Sequence, residues 1–304
     1  MRYLLTYPVQ TRAGRWDLAR GSAVAAIARA AEAAGFEGFG TTDHPAPPSR
    51  WLAAGGHHAL DPFVSLGYAA AVTTTLRLVP NLVVLPYRNP FLVAKSAATL
   101  DVLSDGRFTL AVGVGFLRGE FAALGVDFDN RGKLVDDALR VIRAVWTSDD
   151  IRYEGSAFTA AGITAHPRPV ATPHLPIWIG GNSAAARDRV ARFGDGWCPF
   201  AAPAALAGAT RTAPLTGLAA LATAIGDLRS KCEATGRDPA EVDVVFGTFG
   251  PGPDETSYEP DAYLAEIAQL QAAGVTAVSV AVPGDSLSHA VEVIERFGEE
   301  VAAA

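Results

Sequence analysis

The chain has 304 residues, 49% of them hydrophobic and 19% charged, with a formal net charge of −7. This composition belongs to a globular protein rather than a disordered or fibrous one, and no block of Lys and Arg points to a nucleic-acid partner. The two cysteines, Cys198 and Cys232, make neither a disulfide framework nor a zinc motif, so no metal is expected.

The opening apolar run, in "MRYLLTYPVQTRAGR", is too short for a signal-peptide core and is followed by Arg12 and Arg15. No apolar stretch approaches the roughly 20 residues of a membrane helix. A soluble cytoplasmic protein with no membrane partner is expected.

Strand-like and helix-like patterns then alternate. "RYLLTYP" reads as the first strand, closed by Pro8. Residues 22–34 carry Val24, Ile27, Ala31 and Ala34 at helical spacing, and Gly35 stops that helix. "FEGFGTT" is the second strand, and the helix from Pro62 has proline in its first turn. "LRLVPNLVVLP" is the third strand, with its helix over 91–103. "RFTLAVGVG", apolar throughout after Arg107, suits a strand buried on both faces. Residues 131–146 give the clearest helix, with Leu134, Val135, Ala138, Leu139, Ile142, Val145 and Trp146 in one stripe. "PIWIGG", "DGWCPF", "VDVVFGTF" and "VTAVSVAVPG" are strands five to eight, and helical patterns follow at "AAARDRVARFG", 217–234, 261–273 and 287–297.

Eight strands each followed by a helix predict parallel βαβ units, and at this length a closed (β/α)8 TIM barrel in a single domain, 1–304. Two segments break the alternation, 148–175 without periodicity and 199–216 rich in Ala, Pro and Thr. Long irregular loops of this kind often act as lids or binding loops.

A barrel of this type does its chemistry at the C-terminal strand ends. Asp43 and His44 stand at the end of strand two, in "TTDHPAPP". They are either turn residues or a catalytic pair, since an imidazole can donate or accept a proton near neutral pH. Strand three carries a polar Asn81, and strand four ends in glycines at 113, 115 and 119 that let something flat approach the backbone. Strand five ends in "GGNS" before a helix, where Ser183 is either an N-cap or part of a phosphate site with the glycines and exposed N–H groups. Trp197, after strand six, is either core or a wall against an aromatic ligand.

With "TTDH", "VLPYRNPFLVAKSAATLDVLSDGRFTLAVGVGF", "FDNRGKLVDDALRVIRAVW", "PIWIGGNS" and "FGDGW" in this order, nearly the whole chain resembles the bacterial luciferase-like family of flavin and deazaflavin oxidoreductases. In style it is nearest to the branch that uses coenzyme F420; FMN-dependent monooxygenases share the framework. The resemblance implies that Asp43 and His44 lie beside the reactive edge of the ring. It implies a non-proline cis peptide among Asn81, Leu82 and Val83, and cofactor contacts from Gly113, Val114 and Gly115. It implies a phosphate cradle at Gly180, Gly181, Asn182 and Ser183, and a homodimer. Sugar-phosphate dehydrogenases of the family carry Glu where this chain has Phe116, with Glu120 further along, which implies a more hydrophobic substrate.

The expected activity is hydride transfer between F420 and a small organic substrate, with His44 handling the proton and Trp197 counted among the cofactor contacts. The alternatives are an FMN-dependent monooxygenase using O2 and a cofactor-binding protein without efficient catalysis.

Overall fold

In a computed structural model of the protein, residues 1–8 and 16–302 are described; Arg12 and Arg15, the charges expected to follow the opening strand, lie outside the described residues. In chain order the elements are β1 (Arg2–Thr6), α1 (Gly21–Ala33), β2 (Gly38–Gly40), α2 (Ser49–Ala53), α3 (Pro62–Ala70), β3 (Arg77–Leu78), β4 (Val83–Val84), α4 (Pro90–Leu103), β5 (Leu110–Gly113), α5 (Arg118–Ala123), α6 (Arg131–Thr147), β6 (Ile151–Glu154), β7 (Thr159–Ile163), β8 (Ile177–Gly180), α7 (Ala184–Phe193), β9 (Gly196–Cys198), α8 (Ala204–Thr210), α9 (Leu218–Ala234), β10 (Asp243–Phe246), α10 (Pro260–Ala273), β11 (Ala277–Ala281) and α11 (Leu287–Phe297).

The main sheet runs β3-β2-β1-β11-β10-β9-β8-β5-β4, and all of its pairings are parallel. Its two outer members, β3 and β4, are pieces of the single third strand expected from the sequence. The break lies at 79–82, where the Asn81–Leu82 peptide is cis. A parallel bridge from Leu78 to Phe108 links β3 to the residues just before β5, so the sheet curls round on itself. This is the (β/α)8 architecture with its third strand split.

The helices pack outside because their apolar stripes have nowhere else to go. On α6, Val135, Ala138, Leu139, Ile142, Val145 and Trp146 are buried. Each fully buried Leu- or Ile-sized side chain stabilises by roughly 1.5–3 kcal/mol. The Trp146 indole N–H donates to the Ala94 carbonyl of α4 at 3.0 Å, which fixes the two helices side by side. Asp61 caps α3 by accepting from the Phe63 and Val64 N–H groups at 3.0 and 3.1 Å. Among the described residues no helix is long and apolar enough to cross a membrane, and no His/Cys/Asp/Glu cluster could hold a metal ion.

Residues 148–175 are not a structureless loop. They contain the antiparallel hairpin β6–β7. Asp137 of α6 accepts from Tyr153 Oη at 3.1 Å and from the Ser156 N–H at 2.8 Å. Asp101 of α4 accepts from the Val170 N–H at 2.7 Å. The segment therefore lies against α4 and α6, and none of its residues lines the cleft described below. The lid expected there is corrected on that ground. Residues 199–216 do border the cleft, and they contain α8 and an antiparallel bridge between Ala202 and Leu215.

Candidate active site

The C-terminal strand ends open into a cleft of about 430 Å³. Its floor is apolar. Leu4, Val79, Ala111, Trp178 and Val245 pack inside the barrel with Leu82 against them, and all six line the cleft. The glycines of strands β5 and β8 explain how Leu82 reaches that position. A Cβ at Gly113 would meet Leu82 Cδ1 at 2.7 Å, and one at Gly180 would collide with the same side chain. Their smallness makes room for a leucine of this chain, and the leucine forms the surface on which a flat ligand can lie. Asn81 also lines the cleft, and its side-chain amide donates to Thr6 Oγ1 at 3.0 Å.

One end of the cleft lies where the resemblance implies a phosphate cradle. Gly180, Gly181 and Ser183 line it at the N-terminus of α7, with Thr210 and Thr212 from the facing loop. Ser183 caps the helix, its Oγ accepting from the Ala186 N–H at 3.2 Å, so the bland role and the functional position coincide. Gly181 has φ +109°, a conformation that L side chains rarely adopt.

Three residues expected in the cleft are elsewhere. Asn182 is 3% exposed and spends its side chain behind the cradle, donating to the carbonyls of Phe200 and Ala213 at 2.9 and 3.1 Å and accepting from the Phe200 N–H at 3.0 Å. It anchors the 199–216 loop. Trp197 is fully buried, and its indole N–H donates to the Gly181 carbonyl at 2.9 Å, so it is core and not a wall. Val83 points into the core, and Val84 faces the cleft. The wall that Trp197 does not provide comes from Trp178, one of the residues the sequence did not single out.

At the other end stand Asp43 and His44 with Val114, Gly115 and Phe116. Asp43 is 3% exposed and already engaged. Arg88 donates to its two oxygens at 2.5 and 2.9 Å, and the Val84 N–H donates to it at 2.8 Å. Arg88 also reaches Asp61, the cap of α3, at 3.1 Å. Burial alone would pull the Arg88 guanidinium down; the two carboxylates outweigh it and hold it above its ordinary value. Asp43 thus braces β4 and the strand-two end from behind and has one exposed edge at most.

His44 is different. Its Nδ1 lies 3.3 Å from Glu120 Oε2. Glu120 is fully buried and also accepts from Tyr87 Oη at 2.9 Å and the Ala46 N–H at 3.2 Å. Burial and the neighbouring Glu120 charge raise the Tyr87 hydroxyl far above its usual range, so it stays a proton donor to the carboxylate. Nδ1 is thus the ring nitrogen turned towards Glu120, and Nε2 is the other. Glu120 lies in α5, four residues after Phe116.

Replacing Glu120 with Gln is expected to lower kcat roughly ten- to a hundredfold, the loss of one charge-assisted hydrogen bond of about 1.5–3 kcal/mol. KM should move little, and the acidic limb of the pH–rate profile should shift. An unchanged kcat and profile would make Glu120 merely structural.

An aromatic group surrounds His44. Trp51 and His57 lie with ring centroids 4.6 and 4.9 Å from its own, and Phe116 at 6.3 Å. His57 Nε2 is 3.0 Å from Thr42 Oγ1. Burial, then repulsion from His44 and His58, push His57 down to about 4 against the pull of Glu120. A histidine depressed in the folded state is neutral there while the unfolded chain still binds the proton. Its contribution is therefore complete above the ordinary histidine range and is lost as pH falls from about 6.5 towards 4. Thermal melts should show falling stability across that window, and His57→Asn should flatten the slope. A wild-type melting temperature that does not change between these pH values would contradict the assignment.

A flavin or deazaflavin, the kind of cofactor that the sequence resemblance implies, would bring a flat ring and a phosphate to such a cleft. The donor set fits such a group, with an apolar floor for the ring and hydroxyls and helix N–H groups for the phosphate. Comparison with known proteins gives the family. Residues 1–250 match the model of luciferase-like monooxygenases, and the chain belongs to that family of flavin- or F420-dependent oxidoreductases and monooxygenases. An uncharacterized protein of Mycobacterium tuberculosis is 35% identical over 191 residues, covering 59% of this chain and 67% of that one. An FMNH2-dependent dimethylsulfone monooxygenase of Pseudomonas putida is 31% identical over 173 residues, 56% of this chain but only 46% of its own. The coenzyme F420-dependent tetrahydromethanopterin reductase of Methanopyrus kandleri shares the fold at a TM-score of 0.74 and 18% identity, covering 99% of this chain and 97% of that one.

Proposed function

We propose that the protein is an F420-dependent oxidoreductase that moves a hydride between the deazaflavin ring and a small hydrophobic substrate. The observation that carries this reading is His44, oriented by the fully buried Glu120 at the end of the cleft opposite the anion cradle. Transfer of a hydride to a carbonyl or activated alkene leaves an anion that must gain a proton, and a buried dyad facing the reacting end supplies one. The bound deazaflavin would supply the hydride itself. Leu82 and Trp178 would orient the ring, Ser183 and the first N–H groups of α7 would hold the phosphate, and His44 would pass the proton from Nε2. Phe116 and Phe200 give the substrate end an apolar lining. Residues 199–216, held by Asn182 at the cleft edge, would close over the ligand and exclude water.

A second reading is an FMN-dependent monooxygenase. The P. putida relative, which uses FMNH2, favours it. Fluorescence titration of the purified protein with F420 and with FMN separates the two. The proposal expects F420 to bind at least about tenfold more tightly, a difference of about 1.4 kcal/mol. Tighter binding of FMN, with substrate oxidation that requires O2, would replace it.

A further inference from the structure

Away from α7, strands β1 and β11 give the cleft a third corner, and it is polar without being charged. Thr6 and Ser279 stand there, and Asn81 reaches them from the break in strand three; all three line the cleft. Gly40 lets Asn81 cross the end of β2. A Cβ at Gly40 would collide with the Val79 carbonyl oxygen, so the backbone of the break lies directly on that glycine. The Asn81 N–H donates to the Thr41 carbonyl at 2.8 Å, which holds the crossing in place. The side-chain amide then donates to Thr6 Oγ1 at 3.0 Å, and Thr6 Oγ1 lies 3.1 Å from Ser279 Oγ.

The hydrogen count leaves this row unfinished. Two hydroxyls and one amide carry four donor hydrogens, and the two contacts between them use two. Among the described residues no other group bonds to these three side chains. Donor hydrogens and acceptor lone pairs are therefore left for a molecule in the cleft. The fixed charges that line the cleft lie in its other parts. Asp43 is bound to Arg88, Arg189 is on α7, and Arg211 stands beside Thr210 and Thr212. A corner of this kind suits a neutral polar group, because a charged one would lose its hydration there and gain no counter-charge. The corner also lies beside the His44 end. Thr6 pairs in register with Gly40 of β2, the strand that leads to His44, whereas α7 follows β8 on the other side of the barrel.

We propose that Thr6 and Ser279, ordered by Asn81, recognise a second, neutral oxygen function on the substrate. The substrate class is then a small compound with one carbonyl at His44 and a further carbonyl or hydroxyl a few bonds away. The inference rests on the reading of His44 as the reacting end of the cleft. A ketone with a bare hydrocarbon skeleton leaves the free hydroxyl hydrogens of this corner without a partner once water is displaced, and that weakens its binding. A second oxygen pairs them. Leu82, Phe116 and Phe200 give the carbon skeleton apolar surface between the two polar ends.

The test compares cyclohexanone with cyclohexane-1,4-dione, which differ by one carbonyl, as ligands of the wild type and of the combined Thr6→Val and Ser279→Ala variant. Ligand-observed NMR reads their affinities and needs no turnover. The expected result is a preference for the dione of at least about tenfold in the wild type, the scale of one hydrogen bond that leaves no partner unpaired. The double variant should lose that preference while keeping the wild-type melting curve. Ser279→Ala alone, the milder change, should reduce it. F420 affinity, titrated by fluorescence on the same samples, should be the same in wild type and variants. Equal affinity for the two ketones, or a preference that survives the double variant, would overturn the corner whether or not F420 binds. A tenfold or so loss of F420 affinity in the double variant would give the corner to the cofactor and overturn the proposal as well. Absence of F420 binding to the wild type would remove the F420 reading, and the dione preference would still decide the corner.

Discussion

Replacement of His44 by Ala should cut turnover by about 10² to 10⁴, the usual range for a positioned acid–base group, while cofactor affinity changes much less. The side chain is 10% exposed and points into the cleft from the end of β2. Its Nδ1 is taken by Glu120, so the loss falls on the atom that meets the reacting end. The split between turnover and affinity is the informative part. The anion cradle and the apolar floor are formed by other elements, so Ala at this position leaves them standing. Steady-state turnover beside direct cofactor titration reads both. Near-normal turnover in His44→Ala would reduce the Asp43–His44 pair to an ordinary turn.

The largest effect on stability is expected at Arg88. Replacement by Leu should cost about 3–5 kcal/mol, the penalty for stranding one partner of a buried ion pair. The Asp43 side chain is 2% exposed, and two of its three hydrogen bonds come from that guanidinium. Without Arg88 the carboxylate keeps a single backbone donor. Removing both charges, as in Arg88→Leu with Asp43→Leu, should recover much of the loss, because an apolar pair of that kind often matches the ion pair it replaces. Denaturant unfolding of the two single variants and the double variant gives the coupling directly. A single-variant cost below about 1 kcal/mol would mean the pair behaves like an exposed one. The same geometry changes what is expected of Asp43→Ala: its main consequence is a loosened β4 and strand-two end, with any cofactor effect following from that.

The alternation of strands and helices was legible because each barrel strand is an apolar run and each outer helix carries one apolar stripe. The break in strand three was not legible, since "LRLVPNLVVLP" reads as apolar on both sides of Asn81. α2 and α5, of five and six residues, are too short to show a helical period. Pro48 takes an extended conformation and lets α2 begin at the next residue. Trp197 and Trp178 sit in neighbouring strands but on opposite faces, Trp197 in the outer core and Trp178 inside the barrel. In a parallel sheet covered on both faces the alternation of apolar and polar residues is lost, so nothing local distinguishes the inward tryptophan from the outward one. Glu120 lies 76 residues from His44 in sequence. Its acidic side chain beside Phe121 in "RGEFAAL" is a visible signal, but its partner is set by how α5 folds back over the strand-two loop. The "GGNS" turn was legible as a unit, and only the structure divides it, with Ser183 at the cleft and Asn182 behind it.

The central claim is that one cleft holds the ring and the phosphate in a fixed order, and a crystal structure of the protein with F420 bound tests it most directly. The predicted result is the ring over Leu82 with its reactive edge towards His44 Nε2, and the phosphate within about 3.5 Å of Ser183 Oγ or the first N–H groups of α7, the outer limit of a hydrogen bond. A phosphate at the His44 end, or a cofactor bound away from Leu82, would contradict the account.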